Sequence, residues 1–479
     1  MSNIQVINPR TGVADFQFEA VSAAEMTQIC QDAKDQQSDW SKLDIQERVK
    51  ILLKWRDEIE KHSNEIIEAL TTDTGRYSMS ALEVNDALMR ITYWCDIAPD
   101  LLSGAYKAGT SKLVPTADFE SHQIPYELVG IISPWNVPLI LSLIDAVPAL
   151  LAGAAVVIKP SEITPRFSLP LRETIKNVPE LDGVLKFVLG DADTGRALVN
   201  NVSAVCFTGS VATGKKVAVD AAHNFIPAFL ELGGKDPVIV MQDADVDNAT
   251  TAVLRSAVGL AGQTCQSLER IYVDHGIFKD FLAALSEKAK NTRLTHPDIR
   301  SGHIGPFIFP AQAKKVDEQL QDAVSRGATI HSGGKILNLD GGQYCEATVV
   351  SNVNHDMQLM CEETFGPIMP VMPYAKIDDA IALANDSQYG LSAAVFSSNI
   401  AAAKRVASQI NAGAISINDG GLTTAVRDVE KNAFQNSGMG QSRMGASGLL
   451  RFFRTRSILH QTGTAMSIDM MAEDKQPKH

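Results

Sequence analysis

The sequence has no excess of positive charge and no secretion signal near its start. Lys and Arg number 43 against 56 Asp and Glu, which gives a net charge of −13 and a pI near 5.3. Such a chain repels phosphate backbones unless a local basic patch intervenes, and the sequence contains no such patch. Residues 1–10 also lack a basic segment followed by an apolar core. We therefore expect no nucleic-acid partner and no export.

Cysteine is scarce and scattered along the chain. No CxxC pair and no close His partner accompanies any of the six cysteines, which argues against a zinc site and against a disulfide framework. We therefore expect no bound metal and a reducing, cytoplasmic location. The six are Cys30, Cys95, Cys206, Cys265, Cys345 and Cys361.

No apolar run of membrane-spanning length is free of interruptions. The stretch from Leu128 to Ile158 is long enough to span a bilayer and is nearly all apolar. Its polar residues and prolines fit a buried strand, a tight turn, a helix beginning near Pro138 and a second buried strand. We therefore reject the membrane interpretation. The interrupting residues are Pro134, Asn136, Pro138, Asp145 and Pro148.

What is present predicts a folded α/β protein of two or three domains. The 479 residues, 45% apolar and 21% charged, are more than one hydrophobic core accommodates. The first hundred residues predict mainly helices. Beyond them, β-rich runs alternate with helical segments in two series, which predicts two doubly wound parallel sheets with ligands at the carboxyl ends of the strands.

Each series of strands predicts one sheet. The first comprises Val129–Ser133, Ala155–Lys159, Leu185–Gly190, Ala204–Thr208 and Phe229–Leu232. The second comprises strands at Val238–Met241, Arg270–Val273, Ala347–Val350, Leu391–Phe396 and Ala414–Asn418, with helices at Asp247–Val258, Phe278–Ala289, Ile377–Ala384 and Ala401–Ile410. Residues 104–121 and the tail after Gly445 predict an extended arm, with disorder from Glu473 to His479.

No GxGxxG motif follows a predicted strand, so the commonest dinucleotide-binding fingerprint is missing. The strand that ends at Thr208 is instead followed by Gly209, Ser210 and, where a helix would open, Gly214. Such a turn can present free backbone N–H groups to a pyrophosphate. An ordinary glycine-bearing turn explains the same residues equally well.

Charged residues end two other predicted strands. Lys159 and the nearby Glu162 could bond the ribose hydroxyls of a dinucleotide, or they could be solvated in a surface loop. Glu231 ends an apolar run, where partial burial would raise its pKa toward neutrality and suit it to act as a general base. A strand-end Glu in an ion pair is the alternative.

Two further residues could take part in covalent chemistry. Cys265 lies in the polar loop 262–267, and an exposed loop cysteine is a candidate nucleophile if its pKa falls from about 8.5. An inert thiol is the commoner case. Asn136 precedes a helix, where capping is the ordinary role, but its amide could also complete an oxyanion hole.

Taken together and in this order, the segments resemble the aldehyde dehydrogenase superfamily over almost the whole chain. The matching motifs are SPWN with Asn136, KPSE with Lys159 and Glu162, FTGSVATG with Gly209 and Gly214, ELGG with Glu231, GQTC with Cys265, and EETFGP with Glu363 and Phe365. The resemblance implies a cofactor-binding domain (1–103 and 122–233), a catalytic domain (234–445) and a small β oligomerisation arm with a tail (104–121 and 446–479). It also implies a homodimer or homotetramer.

The resemblance further implies NAD-dependent oxidation of an aldehyde to a carboxylic acid. Cys265 would be the nucleophile, Glu231 the base for hydrolysis, and Asn136 with the Cys265 backbone N–H the oxyanion hole. NAD should be preferred to NADP because Glu162 would repel a 2′-phosphate. The implied cofactor residues are Trp135, Lys159, Ser161, Glu162, Phe207, Thr208, Gly209, Ser210, Gly214, Leu232, Gly233, Glu363 and Phe365.

The helix that begins near Pro138 predicts the substrate class. Val137, Ile140, Leu141 and Ile144 share one face, which starts within a turn of Asn136. A stripe of this kind usually packs into the core, but here it would favour medium-chain or aromatic aldehydes.

Other substrates and roles remain as alternatives. Arg427 is the residue most able to reach in and bind a carboxylate, which would favour a semialdehyde. A CoA-acylating enzyme is disfavoured because Glu231 is present, and a catalytically silent relative is disfavoured because Cys265, Glu231 and Asn136 are all retained. Asp145 stands where many relatives carry a lysine.

Overall fold

The structure, a computed structural model, describes residues 3–475. Its N-terminal part contains a β-hairpin ahead of four helices, so the prediction of mainly helices is confirmed and the hairpin was not predicted. The two strands do alternate apolar and polar residues, with Ile4 and Val6 in one and Phe16 and Phe18 in the other, but each is only five or six residues long, so their signal is weaker than that of the long helices that follow. The elements are β1 (Asn3–Ile7), β2 (Ala14–Glu19), α1 (Ala23–Trp40), α2 (Ile45–Lys61), α3 (Ser63–Thr74), α4 (Tyr77–Ala105), β3 (Lys107–Thr110) and β4 (Ala117–Pro125).

The first α/β region follows the predicted alternation. Its five parallel strands lie in the order β9-β8-β5-β6-β7. The apolar stretch 128–158 forms β5, α5 and β6, as its interruptions predicted, and Pro138 is the first residue of α5. The elements are β5 (Leu128–Ile132), α5 (Pro138–Ala152), β6 (Ala155–Lys159), α6 (Ser168–Lys176), α7 (Pro179–Asp182), β7 (Leu185–Phe187), α8 (Ala192–Val199), β8 (Ala204–Thr208), α9 (Val211–His223) and β9 (Ala228–Glu231).

The second region begins with β10 (Asp236–Val240), and its elements continue to β19. They are α10 (Val246–Val258), β11 (Leu268–Asp274), α11 (Phe278–Lys290), α12 (Pro310–Ser325), β12 (Thr329–Ser332), β13 (Ile336–Leu339), β14 (Gly342–Cys345), β15 (Thr348–Ser351), α13 (Gln358–Cys361), β16 (Ile368–Tyr374), α14 (Ile377–Asn385), β17 (Tyr389–Gly390), β18 (Ser392–Phe396), α15 (Ile400–Ala407) and β19 (Ala414–Ile417).

Seven strands of this region form one sheet in the order β12-β15-β16-β11-β10-β18-β19. The sheet is parallel except for β12, which runs antiparallel to β15 at the edge. The sequence did not predict α12, β12, the β13–β14 hairpin, the short α13 and β17, or β16. Pro370 and Pro373 obscured β16, because proline is unusual inside a sheet.

The final part of the chain returns to the first sheet and then forms a third one. Strand β21 pairs antiparallel with β9, and β22, β4 and β3 form an antiparallel sheet, consistent with the extended arm. Residues 473–475 form a short 3₁₀ turn, which corrects the expectation of disorder there, whereas residues 476–479 lie outside the described part. The elements are α16 (Leu422–Ala425), β20 (Phe434–Gln435), β21 (Gly438–Met439), α17 (Ser447–Leu450) and β22 (Phe453–Gln461).

The first sheet brings the carboxyl ends of its parallel strands to one edge. Lys159, Thr208 and Glu231 are the last residues of β6, β8 and β9, and Trp135 and Asn136 follow β5 closely. The expected site residues therefore meet along that edge. Among residues 3–475, no helix is both long and apolar enough to cross a membrane.

Candidate active site

A cavity of about 490 Å³ lies along the carboxyl edge of the first sheet. It collects twelve of the thirteen residues that the sequence assigned to a cofactor. They are Trp135, Lys159, Ser161, Glu162, Phe207, Thr208, Gly209, Ser210, Leu232, Gly233, Glu363 and Phe365.

The thirteenth residue, Gly214, does not line this cavity. Helix α9 begins at Val211 with Ser210 as its N-cap, so Gly214 lies inside the helix and its N–H donates to the Ser210 carbonyl at 2.8 Å. The expectation that Gly214 opens the helix with a free N–H was wrong. A Cβ at this position would lie 2.4 Å from Leu232 Cδ2, so the glycine allows α9 to pack closely against the turn after β9.

Lys159 and Glu162 form an ion pair at one side of the cavity. Lys159 Nζ lies 3.2 Å from Glu162 Oε2, and the lysine side chain is 5% exposed. The alternative of a solvated surface lysine is therefore wrong. The Glu162 side chain is 43% exposed and remains accessible to a ligand.

A second cavity of about 420 Å³ meets the first at the catalytic candidates. Cys265, Glu231 and Asn136 line both cavities, together with Leu141 and Thr208. The apolar stripe of Val137, Ile140, Leu141 and Ile144 forms part of the wall of the second cavity. Two cavities large enough for ligands therefore meet at the three residues that the sequence predicted to be catalytic.

The wall of the second cavity is also charged, which the apolar stripe did not predict. Arg427 donates to both carboxylate oxygens of Asp86, and Arg90 Nε donates to the same carboxylate at 2.8 Å. Lys431 lines this wall as well. Of these four residues, the sequence pointed only to Arg427. Asp86 and Arg90 lie on α4, far in sequence from every recognised motif, and Lys431 lies in a loop without a motif of its own.

The loop that carries Cys265 has a strained backbone held by one side chain. Leu260, Ala261 and Gly262 have left-handed φ values of 57°, 57° and 71°, an uncommon conformation that persists only where the surroundings fix it. The fully buried Gln263 supplies that support, since its Oε1 accepts from Ile308 N at 2.9 Å and its Nε2 donates to Pro306 O at 3.2 Å.

Asn136 contacts the same loop rather than capping α5. Its Nδ2 donates to the Gln263 carbonyl at 2.9 Å, which uses one of the two amide hydrogens. Glu83 caps the helix instead, accepting from Leu139 N and Ile140 N at 2.7 and 3.0 Å. The capping interpretation of Asn136 was therefore wrong, and the amide retains a second donor.

Burial raises the pKa of both reactive candidates. For Glu231, burial is the main cause, as the sequence predicted, and the Arg443 guanidinium opposes it from 4.0 Å. For Cys265, burial and then the carboxylates of Asp236, Glu231 and Glu363 raise the thiol pKa to about 12. These surroundings therefore act against the lowered pKa that a reactive thiol needs.

A buried ion pair fixes the segment that contains Glu363 and Phe365. Glu269 accepts from Thr364 N and Phe365 N at 2.7 and 2.8 Å, and Lys235 Nζ donates to Glu269 at 2.8 Å. The Phe365 ring packs edge-on against Trp135, with ring centroids 5.3 Å apart. Lys235 adjoins the ELGG motif, but the sequence gave no sign of its partner.

Glu363 is held beside the turn that follows Glu231. Gly234 N donates to Glu363 Oε1 at 3.2 Å, and a Cβ on Gly233 would lie 2.6 Å from the carboxylate. Burial raises the pKa of Glu363 to about 7. Within residues 3–475, no group of three or more His, Cys, Asp or Glu side chains is arranged to hold a metal ion.

Comparison with known proteins identifies the family of this chain and its fold. A sequence model of the aldehyde dehydrogenase family matches residues 1–458. The chain therefore belongs to the aldehyde dehydrogenase family, and it is an NAD(P)-dependent aldehyde oxidoreductase.

Individual relatives cover nearly the whole chain. A Mycobacterium tuberculosis protein, named as a candidate succinate-semialdehyde dehydrogenase [NADP(+)], is 32% identical over 91% of this chain and 84% of its own. The structure of the candidate aldehyde dehydrogenase PutA from Anabaena variabilis is 49% identical, with a TM-score of 0.95 over 97% of this chain and 99% of its own. Betaine aldehyde dehydrogenase from Staphylococcus aureus, in complex with NAD⁺, is 30% identical with a TM-score of 0.90, over 98% and 93%.

Proposed function

We propose that the protein oxidises an aldehyde to a carboxylic acid through a covalent intermediate on Cys265. The observation that carries the proposal is that Cys265, Glu231 and Asn136 lie where the two cavities meet. One cavity suits a dinucleotide and the other suits the aldehyde. The reacting carbon would lie between them.

The first step is attack by sulfur on the aldehyde carbon. Cys265 must release its proton to water, and formation of the C–S bond then moves the π electrons of the carbonyl to its oxygen, which becomes an alkoxide. The unused hydrogen on Asn136 Nδ2 is a donor for that oxygen. In such sites, removal of one donor costs about 3–4 kcal/mol of transition-state stabilisation. A dinucleotide held in the first cavity would supply the acceptor for the hydride that leaves this carbon.

The second step is hydrolysis of the thioester left on Cys265. Glu231 accepts a proton from water, the water oxygen bonds to the acyl carbon, and the C–S bond breaks. The departing sulfur takes the proton that Glu231 received, so the products are a carboxylic acid, the free thiol and an ionised Glu231. Glu231 also argues against acyl transfer to CoA, because such an enzyme has no need of a base for water.

The residues of the first cavity fit a dinucleotide. Lys159 and Glu162 offer a donor and an acceptor to ribose hydroxyls, and Gly209 and Ser210 precede the N-terminus of α9, where backbone N–H groups favour a pyrophosphate. We place Glu363 at the nicotinamide ribose and Phe365 against the nicotinamide. We propose NAD as the preferred cofactor, because the exposed Glu162 carboxylate would repel a 2′-phosphate.

Two substrate classes compete for the second cavity. The stripe on α5 supports medium-chain or aromatic aldehydes, with about 0.8 kcal/mol gained for each buried methylene. The guanidinium of Arg427 and the ammonium of Lys431 favour a semialdehyde whose far carboxylate would lie on that wall, and the name of the M. tuberculosis relative agrees with this second candidate. We retain the apolar substrate as the first proposal.

The three-stranded sheet of β3, β4 and β22 is proposed as the arm of a homodimer or homotetramer. Leu459 and Ile458 on β22 are 74% and 52% exposed, which is unusual for large apolar side chains on one strand. We keep residues 104–121 and 446–479 as the arm and tail, 1–103 and 122–233 as the cofactor-binding domain, and 234–445 as the catalytic domain.

A cysteine comparison tests the proposed function. Cys265→Ala should abolish production of reduced cofactor with every aldehyde tried and leave NAD binding nearly unchanged. Cys361→Ala, at an exposed cysteine that lines neither cavity, is the matched control and should retain full activity. Substantial aldehyde oxidation by Cys265→Ala would overturn the proposal.

A further inference from the structure

A largely buried cluster of charged side chains lies beside Glu231, and one member, Arg443, also lines the second cavity. Arg443 Nη2 donates to Asp145 Oδ2 at 2.8 Å and to Thr208 Oγ1 at 2.7 Å, and Arg451 donates to the other oxygen of Asp145. The side chains of Asp145 and Arg451 are 1% exposed, and that of Arg443 is 8% exposed. With Glu231, the cluster contains two cations and two carboxylates.

One donor of Arg443 is left over and faces Glu231. Arg443 Nε is buried and makes no hydrogen bond with any described residue, while Glu231 Oε1 lies 4.0 Å from it. An unmade hydrogen bond from a buried charged group is costly. A movement of the carboxylate by about 1 Å would bring the two atoms within hydrogen-bond distance.

We propose that Arg443 is a positioning residue that keeps Glu231 ionised for thioester hydrolysis, and that Asp145 and Arg451 hold Arg443 in place. The inference rests on the proposed role of Glu231 as the base. Asp145 anchors Arg443 from α5, and Thr208 anchors it from the end of β8. The guanidinium therefore has a fixed position, and its charge acts on Glu231 without the cost of ordering a mobile side chain.

Other charged or titratable groups also act on Glu231. Three of them are charged: Lys431 in the loop after α16, Arg451 in the segment after α17 and Asp145 on α5. The thiols of Cys265 and Cys206 also interact electrostatically with the Glu231 carboxylate. Among the cations, Arg443 opposes the effect of burial most strongly. Loss of the Arg443 charge would leave two cations, Arg451 and Lys431, and Lys431 is the weaker of the two in its effect on Glu231.

The test compares the pH dependence of the two steps. In Arg443→Met, the acid limb of the steady-state rate should move to higher pH by about 1–3 units, because an ion partner within about 4–6 Å lowers a carboxyl pKa by that amount. The initial burst of reduced cofactor should keep its amplitude. Arg443→Lys retains the charge and should recover most of the shift, and Arg405→Met, an exposed arginine on α15, should show none.

A second variant, with an expected pH shift opposite to that of Arg443→Met, keeps the test valid if Arg443→Met does not fold. Asp145→Asn removes a negative charge but keeps an amide oxygen that can accept from Arg443, which Thr208 also anchors, so the acid limb should move to lower pH. An unchanged acid limb in either folded variant, or an equal loss of burst and steady state in Arg443→Met, would overturn the proposal. A different result would show that Glu231 is not the base. In that case Glu231→Gln would hydrolyse the thioester at the wild-type rate, whatever Arg443→Met shows.

Discussion

Arg427 Nη1 donates to both carboxylate oxygens of Asp86, at 2.8 and 3.0 Å, on the wall of the second cavity. Arg90 bonds the same carboxylate, so two guanidiniums share one negative charge. This wall therefore has positive charge to offer a substrate, opposite in character to the aliphatic stripe on α5. Substrate preference, measured as kcat/KM, shows whether the charged wall or the aliphatic stripe determines specificity.

The first prediction concerns that choice. If the aliphatic stripe on α5 determines specificity, kcat/KM should rise about fourfold for each methylene added from acetaldehyde to medium-chain aldehydes. Arg427→Met should leave those values within about twofold, because the arginine would not contact the aliphatic chain. If succinic semialdehyde is the best substrate and Arg427→Met removes the preference, the apolar proposal is wrong and the second candidate replaces it.

A second prediction tests the cofactor side. Glu162→Gln should raise kcat/KM with NADP by about fivefold, because loss of one repulsive charge near solvent is worth about 1 kcal/mol. The value with NAD should change little or fall. Glu173→Gln, which removes an exposed carboxylate on α6 outside the cavity, is the control. A wild-type preference for NADP would contradict the role given to Glu162.

Several features of the site could be predicted from sequence because each is local. Lys159 and Glu231 end their strands, and the apolar stripe follows directly from helical spacing after Pro138. Burial of Glu231 likewise follows from the apolar run that precedes it.

Other features depend on pairs that are distant in sequence. Arg443 and Asp145 are 298 positions apart, and nothing near either residue indicates the other. The same holds for Lys235 and Glu269, which approach only because β10 and β11 are neighbours. Gly214 was misjudged for a different reason: Ser210 caps α9 one turn earlier than the glycine suggested.

A third prediction concerns the thiol. Because burial and nearby carboxylates raise the pKa of Cys265 to about 12, alkylation of Cys265 in the cofactor-free protein should accelerate about tenfold per pH unit from about pH 6 to about pH 9. The reaction is followed in a Cys361→Ala background, which removes the exposed competing thiol. A plateau near neutral pH would mean that the free enzyme already holds a thiolate.

A fourth prediction concerns the support of Glu363 and Phe365. Lys235→Met leaves the Glu269 carboxylate buried without its cation, which should cost about 3–5 kcal/mol and lower the melting temperature. Lys314→Met removes an exposed ion pair on α12 and should cost about 0–1 kcal/mol. Equal melting temperatures for the two variants would show that the buried pair contributes nothing to stability.

The fifth prediction separates the two chemical steps. Glu231→Gln should still release a burst of reduced cofactor but should turn over slowly afterwards, since the base acts only after the thioester forms. Equal loss of burst and steady state would give Glu231 another role, such as removal of the thiol proton.

The most direct measurement is mass spectrometry of the Glu231→Gln variant, quenched with acid soon after mixing with NAD and an aldehyde that the wild type oxidises. The account predicts an added mass equal to the acyl group, on the peptide that carries Cys265, in proportion to the burst. A burst of reduced cofactor with Cys265 unmodified would contradict a covalent intermediate at this residue.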